Sequence, residues 1–203
     1  MTLLAFAGIA LAHLLAAISP GPSFVLSVRT AATEGFGAAV ALAAGFGLGA
    51  TIWAAAAITG LSLLFDVAPW LFTGIKVAGG LFLVWIAVAM WRHAPEPLPD
   101  MDVSTPRSPW SAFRLGLGTF LVNPKPAVFF GAVFVGLVPG DALLWAKGVV
   151  LANIFWVEAA WYVLVARVFS LPRARAAYGR VKTAADRTLG VALGALGARL
   201  ALP

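Results

Sequence analysis

Cysteine is absent from this 203-residue chain, which excludes disulfides and cysteine-ligated metals. Charge is scarce: Asp, Glu, Lys and Arg make up 11% of the residues, against roughly 25% in a soluble domain. The local signatures of common enzymes are missing too. There is no Gly-rich phosphate loop, no His/Cys metal spacing, no Gly-x-Ser-x-Gly elbow and no His-Glu-x-x-His zinc helix. No catalytic residue, cofactor or resident metal is expected. The first apolar run has no basic stretch before it and no small-residue cleavage site after it, so it reads as a retained helix.

What is present is apolar. Hydrophobic residues make up 62% and the mean hydropathy is +0.96, where a soluble domain is roughly 45 to 50% apolar. The chain reads as an all-α polytopic membrane protein whose surroundings are a lipid bilayer. Its net charge of +6 does not imply a nucleic-acid partner. The basic residues fall mostly between apolar runs, where they orient a protein in the membrane.

Six runs are predicted to span, from about Leu3 to Val28, Gly37 to Leu61, Leu71 to Trp91, Ala112 to Val138, Lys147 to Phe169 and Thr188 to Leu202. A span needs about 20 apolar residues. The link from Arg92 to Ser111 holds five prolines and no apolar periodicity, so it reads as an exposed loop. It divides a single transporter-like domain, 1–203, into repeat one (about 1–91) and repeat two (about 112–203). Arg29, then Arg92, Arg107 and Arg114, then Arg167, Arg173, Arg175, Arg180, Lys182 and Arg187 mark three basic links. The positive-inside rule puts these links in the cytoplasm, with both termini outside. With Arg29 as the weakest signal, an N-terminus inside and one fewer span is the alternative. Three spans per half make the two repeats inverted in the membrane.

Two runs are interrupted in the same way. Ser19-Pro20-Gly21-Pro22-Ser23 breaks the first and Asn123-Pro124-Lys125-Pro126 breaks the fourth. Proline lacks an N–H and clashes with the carbonyl four residues back, which leaves the carbonyls of Ala16, Ile18, Phe120 and Val122 without helical partners. Lys125 lies about eleven residues, or some 16 Å, in from Arg114, where a charged lysine costs about 2.5 to 3.5 kcal/mol. Broken backbone is tolerated at that depth only where it lines a cavity or packs on protein. Paired interruptions at matching places in two halves are the sequence pointer to a transporter's binding site. There, Lys125 and Asn123 would meet a carboxylate and the freed carbonyls an ammonium.

Glu158 sits mid-span between Trp156 and Trp161. An intramembrane carboxylate carries a proton or pairs with a cation, here Lys125. His13, seven residues before Pro20, is the second candidate for coupling. Thr51, Trp53 and Trp85 are further candidates for substrate contact. Gly37, Ala41, Gly45 and Gly49 form a four-residue stripe, repeated by Gly190, Gly194 and Ala198. Small faces of this kind bring helices close, within one subunit or across a homodimer.

Pro20-Gly21-Pro22, Gly45-Phe46-Gly47-Leu48-Gly49 with Trp53, Lys76-Val77-Ala78-Gly79-Gly80 and Asn123-Pro124-Lys125 together resemble the LysE/RhtB family of bacterial amino-acid exporters, over nearly the whole length. The resemblance implies a multi-pass efflux carrier of the bacterial cytoplasmic membrane. Its substrate would be a small molecule, an amino acid or derivative, and its drive the proton-motive force. The chain departs from the family at Ala50, where an acidic residue is frequent, at Phe82, usually tyrosine, and at Ala87, usually glycine. Glu158 is the group that would compensate for the acid missing at Ala50. The rival readings are export of a metal cation or another small metabolite and, in a different class, a membrane scaffold that translocates nothing.

Overall fold

The computed structural model describes residues 1–19, 21–61, 69–96, 105–134 and 137–201, and among them all regular structure is helical. Helix α1 (Leu3–Ile18) begins at Thr2, whose hydroxyl accepts the Ala5 N–H at 3.2 Å. Helix α2 (Pro22–Thr33) starts with proline in its first position, where the missing N–H has no helical partner to lose. It ends at Gly35, whose φ of +92° lets the Glu34 and Gly35 N–H groups close on the Thr30 carbonyl at 2.9 and 3.1 Å. The chain then turns directly into α3 (Phe36–Ala56), which continues through a wide turn at Ala57–Leu61.

Helix α4 (Pro69–His93) completes the first half. Helix α5 (Pro109–Val122) is capped by the Ser108 hydroxyl, which accepts the Ser111 N–H at 3.2 Å. Short α6 (Pro124–Val128) runs on through a second wide turn, Phe129–Val133. Helix α7 (Leu144–Phe169) and helix α8 (Pro172–Ala201) complete the chain.

Two boundaries differ from the sequence expectation for one reason. The first run was expected to stop at Val28 and the last to begin at Thr188, yet α2 continues to Thr33 and α8 begins at Pro172. In both places charge ends the hydropathy signal without ending the helix. Arginine, lysine and alanine are all good helix formers, and they fill residues 173–187. Among the described residues, two helices are long and apolar enough to cross a bilayer, Phe36–Thr59 with 24 residues and Leu144–Phe169 with 26. Helices α1 and α2, bent by 67° at the break, make a third if taken as one span. The apolar part of α4, Val77–His93, is shorter.

Helix α3 is the hub. It packs on α5, α7 and α2, while α1 and α2 lie on α7. Burial of apolar surface gives no drive within lipid, so close van der Waals contact must hold such helices together. A Cβ on Gly45 would stand 2.2 Å from the Phe113 carbonyl oxygen, and one on Gly116 would stand 2.3 Å from that of Leu42. The α3–α5 seam is therefore backbone against backbone. Gly49 meets Phe120, and Gly47, turned the other way, meets Phe155 and Ala159 of α7. Gly37, by contrast, has nothing within 4 Å and Ala41 is half-buried.

Helices α4 and α8 form a separate pair. Gly80 and Gly197 oppose each other there, each Cβ position 2.6 Å from the other's carbonyl oxygen, and a Cβ on Gly190 or Gly194 would stand 3.2 Å from an Ala87 atom. At the charged end, Lys182 and Thr183 donate to the Ala94 carbonyl at 3.2 Å each. This pair leans on the rest of the molecule chiefly through the turn Phe129–Val133, with lighter contacts to α6 and α7.

Candidate functional site

The first break places polar atoms in the interior because its short side chains fold back on the chain. After Ile18 the backbone becomes extended at Ser19, whose hydroxyl donates to the Ala16 carbonyl at 2.9 Å. Gly21 is extended as well, and α2 restarts at Pro22. Pro20 lies outside the described residues. At the second break Asn123 does two things. Its Oδ1 accepts the Lys125 N–H at 3.1 Å and so caps α6, and its Nδ2 donates to Ser23 Oγ at 3.2 Å. One buried amide thus ties break to break across a sequence separation of 100 residues.

Lys125 closes the arrangement. Its stem passes Gly21, where a Cβ would stand 3.5 Å from Lys125 Cδ, and its ammonium donates to the Ser19 carbonyl. Two of the four carbonyls expected to be free are satisfied locally. Ala16 accepts from Ser19 Oγ, and Phe120 accepts the Asn123 N–H at 3.3 Å. Small polar residues at a break compete for the backbone in this way. The carbonyl that receives a cation is Ser19's.

Glu158 and His13 also meet here. Glu158 Oε2 and His13 Nε2 are 2.9 Å apart, and their side chains are 3% and 2% exposed. Glu158 thus contacts His13 directly, while Lys125, on the same cavity wall, donates to the Ser19 carbonyl. The imidazole lies against the rings of Phe129 and Phe130, at 5.9 and 5.6 Å between centroids. Its Nδ1 is buried without a hydrogen-bond partner. Tyr162, one helical turn beyond Glu158, reaches Ser23 with its hydroxyl and packs on Phe46 at 4.7 Å.

These groups enclose a cavity of about 30 Å³, lined by residues of both breaks together with His13, Glu158, Tyr162, Phe129 and Phe130. A volume of that size holds a water or two, so the side chains as placed leave no room for an amino acid between them. A second cavity, of about 350 Å³, begins on the other side of Gly21 and extends between α2, α4 and α8. Pro126 borders the small cavity and Pro22 the large one. Pro124 starts α6. Of the other candidates, Thr51 turns its hydroxyl back to the Gly47 carbonyl at 2.9 Å, Trp53 is half-buried against the core, and Trp85 borders the larger cavity. Among the described residues no group of three or more His, Cys, Asp or Glu is placed to hold a metal ion.

Ser23 and Tyr162 were missed by the sequence reading as site residues, although each has a signal. Ser23 closes the first break, and Tyr162, one of 2 tyrosines in the chain, follows Glu158 by four positions on one helical face. The aromatic wall of Phe129 and Phe130 carries no such signal in an apolar run. Also missed was the Glu34–Arg107 pair, in which the largely buried carboxylate accepts both the backbone N–H and Nε of Arg107, at 3.1 and 2.7 Å.

The family described as LysE type translocator matches residues 14–203. The threonine efflux protein of Escherichia coli (strain K12) is 32% identical over 98% of each chain, and that of Salmonella typhi 34% identical over 98% of each. The homoserine/homoserine lactone efflux protein of Salmonella typhimurium is 30% identical over 59% of this chain and 58% of its own. No solved structure matches the chain.

Proposed function

We propose that this chain, which belongs to the LysE type translocator family, exports a small zwitterionic amino acid, threonine or homoserine first among them, across the bacterial cytoplasmic membrane under the proton-motive force. Membership of the family makes it a membrane transporter and not an enzyme. The observation that carries the substrate reading is the junction of the two helix breaks, where Asn123 bonds Ser23 and Lys125 bonds the Ser19 carbonyl. The lysine ammonium holds the carbonyl that suits a substrate ammonium. An amino acid exchanges these partners. Its ammonium takes the Ser19 carbonyl, and the released Lys125 takes its carboxylate, with Asn123 beside it. Each charge keeps a partner throughout, which matters where unpaired charge is expensive.

Glu158 and His13 are the proton-handling pair of this mechanism. They share the cavity wall with Lys125, so a proton on the pair and the cargo's charges sense each other at short range. The packing supports six spans in two inverted repeats. α3 lies on α5 as α7 lies on α1 and α2, α3 lies on α7, and α4 lies on α8. Those are the pairs that a twofold exchange of residues 1–91 with 112–203 maps onto one another, the symmetry used for alternating access.

Export from proteoliposomes loaded with L-threonine tests the reading. Lys125→Ala, inserted at wild-type level, is expected to lower the rate roughly ten- to a hundredfold, the scale of one charge-assisted contact. Export at the wild-type rate would refute the role of the break junction.

A further inference from the structure

The larger cavity is a site in its own right. We propose that it binds the amino acid on the cytoplasmic side before the cargo reaches the helix breaks, a step that rests on the carrier reading above. Size is the first argument. The junction cavity measures about 30 Å³ and the outer one about 350 Å³, and pockets for small molecules begin at roughly 300 Å³. Position is the second. Gly21 borders both cavities, so a molecule in the outer one is separated from the Lys125 stem by a residue without a side chain.

The outer cavity offers both charges at one end. Lys182 gives one N–H to Asp186 at 2.8 Å and one to the Ala94 carbonyl at 3.2 Å, and its third is spare for a carboxylate. Asp186 accepts from Lys182 and from the Tyr178 hydroxyl at 3.2 Å, and an ionised carboxylate has further acceptor sites for an ammonium. Phe24, Ile86 and Met90 supply apolar wall. A short zwitterion with a small side chain suits that combination.

Orientation is the third argument. The polar end of the cavity lies among His93, Glu96 and Lys182, beside the basic links that the positive-inside rule places in the cytoplasm. Packing agrees with an open cytoplasmic side. α4 leans on the turn Phe129–Val133 of the second half, whereas α8, its counterpart, meets α2 at the edge of the cavity, where the Tyr178 and Phe24 rings touch at 5.8 Å between centroids. In a carrier built of inverted repeats, one side closed and the other open is the expected inequality of a single state.

Equilibrium titration of the full chain in lipid nanodiscs with L-threonine and with L-homoserine decides the matter. The wild type is expected to bind two equivalents, and Lys125→Ala to keep one. Adding Ala89→Trp, which fills the outer cavity without touching the Lys182 bonds, is expected to remove that one. In export assays Ala89→Trp alone should raise the half-saturating cytoplasmic concentration roughly tenfold. A single wild-type equivalent that disappears in Lys125→Ala overturns the outer site and leaves the junction site standing. Binding by Lys125→Ala that Ala89→Trp does not change overturns it as well, as does a co-purifying lipid that neither amino acid displaces. Failure of both amino acids to bind the wild type overturns both sites together.

Discussion

The bundle of α3, α5 and α7 and the pair α4–α8 use small residues in the same way but stand in different surroundings. In the bundle, Gly45 and Gly116 put two backbones in contact while Gly47 brings in a third helix, and Phe46, Phe120 and Tyr162 fill the space between. In the pair, Gly80 and Gly197 make a seam as close, yet the pair meets the rest more lightly, at the turn Phe129–Val133, α6 and α7, and borders a cavity of about 350 Å³. Each body takes helices from both halves of the chain. The boundary with room to move therefore runs between bundle and pair, and not between residues 1–91 and 112–203 as units.

The largest effect should come from breaking the bundle. Gly116→Leu sets a side chain against the Leu42 carbonyl, where even a Cβ would stand 2.3 Å away, and neither backbone can yield. Loss of folded protein from the membrane is expected, read as absent signal in a blot of detergent extracts. A normal level of inserted protein would mean that the seam is not as close as described. Next in size is a test of the boundary, made clean because the chain has 0 native cysteines. Val25→Cys and Met90→Cys border the outer cavity from α2 and α4. A bifunctional maleimide that joins them should stop export, while each single variant treated alike keeps it. Export that survives a completed cross-link would show that the pair need not move against α2.

What the sequence revealed follows the same division. The breaks were legible because proline acts on its own backbone, and Ser19, Gly21, Asn123 and Lys125 announce themselves within a few positions. The start of α8 at Pro172 was not, because charge hides a helix from a hydropathy reading. Partners across helices were illegible for a different reason. Nothing local to Glu158 says that it faces His13 rather than Lys125, and nothing local to Gly116 says that it meets Leu42, since both depend on how helices rotate when they pack. The interleaving of the two halves is of this kind too.

A smaller and more selective effect is expected at the junction. Glu158→Gln keeps the volume and removes the carboxylate opposite His13. The variant should still exchange labelled for unlabelled threonine across the membrane but should not expel it against a gradient when a proton gradient is imposed. The amide can go on bonding His13, so insertion is not expected to suffer. Concentrative export by Glu158→Gln would remove this pair from the coupling and return the question to groups outside the junction.

The smallest change belongs to the one member of the α3 stripe that touches nothing. Gly37 is exposed, with no atom within 4 Å of where its Cβ would be, whereas Gly45 on the same stripe is clamped by Phe113 and Leu117. An alanine at Gly37 meets no obstacle and restricts the unfolded chain, a gain of roughly 0.4 to 1 kcal/mol, with the lower figure apt in the first turn of a helix. Thermal unfolding in detergent should therefore rise slightly while export is unchanged. If Gly37→Ala instead lowered export or shifted the particle size, that end of the stripe would be covered by a second copy of the chain. The small-residue face would then serve two purposes along one helix, packing within the subunit at Gly45 and Gly49 and between subunits at Gly37.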